Sequence, residues 1–236
     1  MAGPQHIVSA YSEELERLSA DILRMGGLAE AMIRDASRAV VARDAKLAEL
    51  VIERDHEMDR LESEIERQAV RMLALRQPMA GDLRNVIGAI KLAGGIERIG
   101  DLAKNIARRT LAVVNEDNRT TLKGIERMGQ AVSRMLQIAL DAYARRDPVT
   151  AISVLRQDDD IDSQYNSLLR SMLVFMAEEP EQMTARSNYL FIVKNLERIG
   201  DHCTNIAKVV HFIATGKQIT ERDAETQMSH TKEAQS

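Results

Sequence analysis

Four pairs of carboxylates are the part of this 236-residue sequence most able to do chemistry. On a helix, residues at i and i+4 lie one turn apart on one face, where like charges repel by roughly 0.2–0.5 kcal/mol a pair. A hard cation that prefers carboxylate oxygen would offset this repulsion, so the pattern favours metal binding. The alternative is a set of solvated acidic faces. The pairs are Asp55 and Asp59, Glu97 and Asp101, Asp158 and Asp162, and Glu197 and Asp201.

Two of these pairs lie in a segment that occurs twice. The sequence Glu-Arg-Ile-Gly-Asp at 97–101 returns at 197–201, and Asn-Ile-Ala follows both copies, at 105–107 and 205–207. A segment copied at a fixed distance indicates two copies of one structural unit. The copied residues are mostly polar, and core packing does not require a particular Glu, Arg, Asp and Asn. The repeat therefore marks both the architecture and a functional surface.

Composition sets the fold class and excludes several kinds of protein. Aromatic residues make up 3 % of the chain and there is no Trp, so the apolar content consists of helix-compatible side chains and predicts an all-α protein. A net charge of −4 gives no basic field for nucleic acid. Cys203 is the single cysteine, which excludes an intramolecular disulfide, and we interpret it as a small core residue. No apolar run is long enough to insert into a membrane, and residues 1–15 have no signal-peptide pattern.

The apolar periodicity predicts six long helices in two similar sets of three. Breaks at Gln77-Pro78 and Glu179-Pro180 precede the third and sixth helices. The expected fold is two tandem antiparallel three-helix bundles related by internal duplication and placed either side by side or end to end. The first repeat is placed at 1–115, the second at 116–215, and a polar, disordered tail at 216–236. The predicted helices are 11–42, 45–75, 81–114, 120–145, 148–178 and 182–214.

These helices should bring the carboxylates together. Apolar residues of the third and sixth helices occupy one side of each helix, and the copied polar residues occupy the other side. Antiparallel packing of the second helix on the third, and of the fifth on the sixth, would form a four-carboxylate patch in each half. Di-iron bundles need the Glu-x-x-His pattern on two helices, and this sequence contains it once, at Glu53 and His56, which argues against redox catalysis.

Other copied residues allow more than one reading. Arg98 and Arg198 could pair with acidic groups, bind an anion or simply be exposed. Asn105 and Asn205 extend the polar stripes and are candidate accessory groups. His202, whose counterpart is Leu102, is more often a surface residue than a ligand.

With its duplicated Glu-Arg-Ile-Gly-Asp…Asn-Ile-Ala motif and paired three-helix units, the chain resembles the PhoU family of bacterial phosphate-signalling regulators over nearly its whole length. The resemblance implies a cytoplasmic, non-enzymatic regulator, peripheral to the membrane through its partners, that restrains phosphate uptake and the phosphate-starvation response. The implied partners are the phosphate ABC transporter and a sensor histidine kinase. Family members are commonly homodimers.

The resemblance also implies metal sites, because the motifs hold iron or zinc clusters in some members. Carried over to this sequence, one site would comprise Asp55, Asp59, Glu97 and Asp101, and the other Asp158, Asp162, Glu197 and Asp201. Two other functions are weighed against the regulator: a metal-dependent enzyme on a helical bundle, and a structural adaptor without metal. A bound-metal assay separates the regulator from the adaptor.

Overall fold

The computed structural model describes residues 4–113, 119–178 and 183–219, and within these ranges it contains six α-helices and no strand. The all-α prediction is therefore confirmed. The helices are α1 Pro4–Ala42, α2 Ala45–Arg76, α3 Ala80–Val113, α4 Arg119–Arg145, α5 Pro148–Glu178 and α6 Met183–Thr215.

The observed bounds agree with the predicted ones to within a residue, except where α1 begins. That helix begins at Pro4, well before the predicted residue 11, because proline is well suited to the first helical position, where its missing N–H is not needed. The predicted domain boundary at 115/116 and most of the predicted tail at 216–236 lie outside the described residues, so they stay predictions.

The turn between the first two helices of each half is built the same way twice. Arg43 and Arg146 adopt positive φ values of 56° and 53°, and the following aspartates, Asp44 and Asp147, donate their N–H groups to carbonyls five residues earlier at 2.9 Å. This is a Schellman ending. Each aspartate then caps the next helix, as Asp44 Oδ1 does by accepting from Leu47 N at 3.0 Å. The duplication thus extends to backbone detail.

Helices α3 and α6 form the most extensive helix pair, and they run antiparallel. A Cβ on Gly95 would lie 3.3 Å from Ile206 Cγ1, and Arg109 stacks on the Phe191 ring at 4.1 Å. Later residues of α3 therefore contact earlier residues of α6. Interpolation places Gly100 opposite the turn of α6 that contains Gly200. The two copies of the repeated segment therefore meet at the middle of this central pair.

The remaining helices are arranged symmetrically about this pair. Helix α1 packs on α4, α2 packs on α1 and α3, and α5 packs on α4 and α6. These are the two three-helix bundles expected from the repeat, placed side by side. Buried apolar residues from all six helices form one continuous core. None of the described helices is long and apolar enough to cross a membrane.

Candidate functional site

The carboxylates of α2 and α3 meet along one groove, where a lysine joins two of them. Lys104 Nζ lies 2.6 Å from Asp55 Oδ2 and 2.5 Å from Asp101 Oδ1. The side chains of Lys104 and Asp55 are 14 % and 9 % exposed. Packing holds this groove narrow, since a Cβ on Gly100 would lie 3.0 Å from Met58 Cγ. We call the group formed by Asp55, Asp59, Glu62, Glu97 and Asp101 the first patch.

At the other end of the first patch, Glu62 and Glu97 form no ion pair with this lysine in the described structure. Burial, and then the neighbouring charges of Asp101 and Glu62, raise the pKa of Glu97 to about 7. Burial and the charges of Glu66 and Asp59 also raise the pKa of Glu62. Glu97 is 19 % exposed, and its nearest cationic contact is Arg98 Nε at 3.9 Å from its Oε2. The structure thus brings the predicted residues of the first half together and adds Glu62 to them.

The second patch, formed by Asp158, Asp162, Glu197 and Asp201, lies in the groove between α5 and α6. Asp158 Oδ1 would be 3.1 Å from a Cβ on Gly200, so the carboxylate is pressed against the α6 backbone. Burial, and then the charges of Asp201 and Asp162, raise the pKa of Asp158 to about 6. Glu197 Oε2 is buried and has no hydrogen-bond partner among the residues that the structure describes. This groove therefore holds carboxylates that are close together and incompletely compensated.

The negative charges of the two patches are neutralised by lysines at different positions. In the second half, Thr204 takes the position of Lys104, and its hydroxyl donates to the Asp201 carbonyl at 2.8 Å. The lysine at the carboxylates of this half is Lys194, whose Nζ lies 2.6 Å from Glu197 Oε1 on the same helix and 5.1 Å from the ring centre of Tyr165 on α5. Among the described residues, each half thus has one lysine at its carboxylates, but only Lys104 joins carboxylates of two different helices.

A basic seam, formed by Arg98, Arg198 and His202, lies between the patches. Burial, and then the positive charge of Arg198, lower the pKa of His202, and Arg98 across the helix pair lowers it further. A two-fold axis that relates two antiparallel helices is perpendicular to their common plane, so equivalent residues lie on one face of the molecule. The face along α3 and α6 is therefore acidic, basic and acidic in order.

The other predicted accessory groups take no visible part in this arrangement. Asn105 is half-buried and Asn205 exposed, each one turn beyond the aspartate of its helix. Cys203 is buried, burial raises the pKa of its thiol, and it lies 3.8 Å from the Val132 carbonyl. This position agrees with the interpretation of Cys203 as a core residue.

The fit of a metal ion differs between the halves. Within residues 4–113, 119–178 and 183–219, no three His, Cys, Asp or Glu side chains converge closely enough to hold one ion. Between Asp55 and Asp101 an ammonium already occupies the place of a cation. In the second patch, the unpartnered Glu197 Oε2 and the carboxylate oxygens of Asp158 and Asp201 are of the type that a hard cation prefers. The eight predicted ligands stay a prediction.

Three residues of these patches were missed from the sequence: Glu62, Lys104 and Lys194. A signal for them existed, because each lies three residues from a predicted carboxylate, namely Asp59, Asp101 and Glu197 respectively. Such i, i+3 spacing places side chains on a shared helix face. The four predicted i, i+4 carboxylate pairs do not include them.

Comparison with known proteins agrees with this architecture. The family model described as "PhoU domain" matches residues 22–110 and again 125–210. The "Phosphate-specific transport system accessory protein PhoU homolog" of Caulobacter vibrioides is 46 % identical over 217 residues, which cover 92 % of this chain and 94 % of that protein.

Solved structures give the same result. The crystal structure of PhoU from Pseudomonas aeruginosa superposes with a TM-score of 0.84 at 38 % identity, covering 88 % of this chain and 100 % of that one. The phosphate transport system regulatory protein PhoU from Streptococcus pneumoniae gives 0.83 at 30 % identity, covering 89 % and 99 %. The duplicated motif, the paired bundles and these matches together show that the chain belongs to the PhoU family.

Proposed function

We propose that this protein is a negative regulator of phosphate uptake and of the phosphate-starvation response, which acts by binding other proteins and not by catalysis. Its membership of the PhoU family supports this, since the Caulobacter relative is named as an accessory protein of phosphate-specific transport. The Streptococcus neighbour is described as a regulatory protein of such a system. The proposed partners are the cytoplasmic parts of a phosphate ABC transporter and of a sensor histidine kinase, which places the protein in the cytoplasm, at the inner face of the membrane.

The face along α3 and α6 is the observation that carries this proposal. Its three charged zones come from a motif that the chain contains twice, and Arg98 is 68 % exposed at the centre. Ordered charge of this kind selects a partner of opposite pattern and speeds the encounter more than it increases affinity. A transient contact on such a surface buries about 1,200 Å² or less. Substitutions there should therefore affect signalling more than folding.

A reporter of the phosphate-starvation response tests the proposal in phosphate-rich medium. Cells that lack the protein should express the reporter, and wild-type protein should silence it. The double variant Arg98→Glu with Arg198→Glu reverses the charge of the two arginines between the patches, so it should fail to silence the reporter while remaining folded by circular dichroism. Arg17→Glu is the matched control, since Arg17 is 72 % exposed on α1, a different helix. If deletion leaves the reporter silent and phosphate uptake unchanged, the protein is not a regulator.

Two further elements of the proposal concern metal and assembly. Iron or zinc at the patches is proposed from the family resemblance, and no step of docking requires it. Elemental analysis of the wild type and of Asp101→Ala with Asp201→Ala tests metal uptake, and equal metal content would count against it. A homodimer is proposed on the same basis, and light scattering at several protein concentrations tests it.

A further inference from the structure

In the first patch, the positive charge between Asp55 and Asp101 is supplied by a side chain of the protein itself, Lys104. Charge-assisted N–H···O contacts usually measure about 2.7–2.9 Å, and Lys104 Nζ lies closer than that to both Asp55 Oδ2 and Asp101 Oδ1. The ammonium is largely shielded from water, because the side chain of Lys104 is 14 % exposed. It also joins α2 to α3, so it serves as an electrostatic link between two helices.

A metal ion between these carboxylates would have to take the same place. Oxygen ligands lie about 2.0–2.6 Å from Mg²⁺ or Ca²⁺, which is close to the distances from Lys104 Nζ to its two oxygens, 2.6 and 2.5 Å. An ion seated there would displace the ammonium and then repel it at short range. Asp55 would also lose its contact with the Lys104 ammonium. The metal ion that replaced it would not be enclosed by further protein ligands, because no third acidic, His or Cys side chain of the described residues converges there.

The second half supplies an internal comparison. Thr204 stands at the position of Lys104, and its hydroxyl is turned to its own helix. Lys194 contacts Glu197 on the same helix and is 42 % exposed. In the described part of the chain, no ion pair joins Asp158 to Asp201 as Lys104 joins Asp55 to Asp101. Equivalent carboxylate pairs therefore differ in whether a tethered cation lies between them.

We propose that Lys104 is a tethered cation that takes the place of a metal ion between Asp55 and Asp101 and closes these two carboxylates to metal. The two patches of the duplicated chain are then unequal, and the metal proposed above from the family resemblance is not held between Asp55 and Asp101. This inference does not depend on the regulatory role, because it concerns only what the carboxylates bind.

Calorimetric titration of the full-length, chelator-treated protein with Mn²⁺ tests the proposal. Asp101→Asn should bind as many Mn²⁺ ions as the wild type. Lys104→Gln should bind one more ion per chain than the wild type, and Asp101→Asn added to it should remove the extra ion. Lys104→Gln should also have a lower thermal midpoint without metal, partly restored by Mn²⁺. Lys91→Gln, which removes an exposed lysine of α3, should behave as the wild type.

Two results would overturn the proposal. One is a loss of bound Mn²⁺ in Asp101→Asn relative to the wild type. The other is a Lys104→Gln variant that binds no more Mn²⁺ than the wild type, including the case in which neither binds any. If Lys104→Gln does not fold, the comparison of Asp101→Asn with the wild type decides alone. The reporter experiment is separate, so failure here leaves the proposed regulatory function standing.

Discussion

Glu97 and Asp158 are the residues in which the two patches differ most from ordinary helix surfaces. Both are carboxyls whose pKa is raised by burial and by neighbouring negative charge, to about 7 and about 6 respectively. Helical spacing was enough to predict that these residues share a face with other carboxylates. It could not show where Lys104 places its ammonium, because a long flexible side chain selects among neighbours on a second helix. Compensation of charge is therefore a tertiary property.

Substituting Glu97 with Gln should flatten the dependence of stability on pH. The folded pKa of about 7 exceeds the ordinary value of 4.5, so the folded state binds a proton more tightly than the unfolded state does. The resulting stabilisation is complete below about pH 4.5 and is lost as the pH rises to about 7. Glu97→Gln should therefore unfold at a higher temperature than the wild type at about pH 8, and the difference should shrink towards about pH 5.

Thermal unfolding in the presence of a chelator, followed by circular dichroism across this pH range, measures the effect. Glu49→Gln, at an exposed position of α2, is the matched control and should keep the wild-type slope. Parallel pH profiles for Glu97→Gln and the wild type would show that folding does not raise the pKa of Glu97.

At the scale of elements, close helix contacts depend on glycines that the apolar pattern does not reveal. A Cβ on Gly129 of α4 would lie 2.7 Å from Ser37 Cβ of α1, whereas a Cβ on Gly27 of α1 would meet no described atom within 4 Å beyond the backbone of its own helical turn. Both glycines sit inside predicted helices and look alike in the sequence. The helix ends were predicted well because prolines and capping aspartates mark them locally in the sequence. Which faces approach closely depends on how the helices are paired.

Alanine at these two glycines should have opposite effects. Gly129→Ala should destabilise the protein by about 1–3 kcal/mol, because Ser37 Cβ is close to the backbone and cannot rotate away. Gly27→Ala should stabilise it by about 1 kcal/mol, because alanine is the better helix former and the space is open. Urea unfolding at constant m-value measures both changes. Equal effects of the two substitutions would mean that α1 and α4 do not cross at Gly129.

At the scale of the whole molecule, the halves share one core and are not separate domains on a linker. Ile206 of α6 is 2 % exposed and packs where Gly95 of α3 leaves room for it. The sequence predicted two bundles but left open whether they lie side by side or end to end. Their common core is formed by α1, α3, α4 and α6, which contribute buried apolar residues and pack across the two halves as the pairs α1–α4 and α3–α6.

Ile206→Ala should therefore weaken both halves together. Removing this side chain should cost about 2–5 kcal/mol, and unfolding should stay a single transition. Hydrogen exchange of the slowest amides of α2, in the other half, should quicken in proportion, since it reports global unfolding. Leu173→Ala is the control, because Leu173 is 52 % exposed and should change stability by less than about 0.5 kcal/mol. Faster exchange confined to α4, α5 and α6 would show that the halves unfold independently.

The pseudo-two-fold arrangement of α3 and α6 has a consequence for how the copies can evolve. Two separate chains of one unit, packed in the same way, would carry every substitution twice, and a lysine at one patch would also stand at the other. Joining both units in one polypeptide removes that constraint. Lys104 and Thr204 occupy matching positions with different chemistry, as do Gly94 and Lys194. Covalent fusion thus lets a symmetric scaffold present an asymmetric surface. The backbone keeps the two-fold arrangement, whereas side chains at matching positions differ.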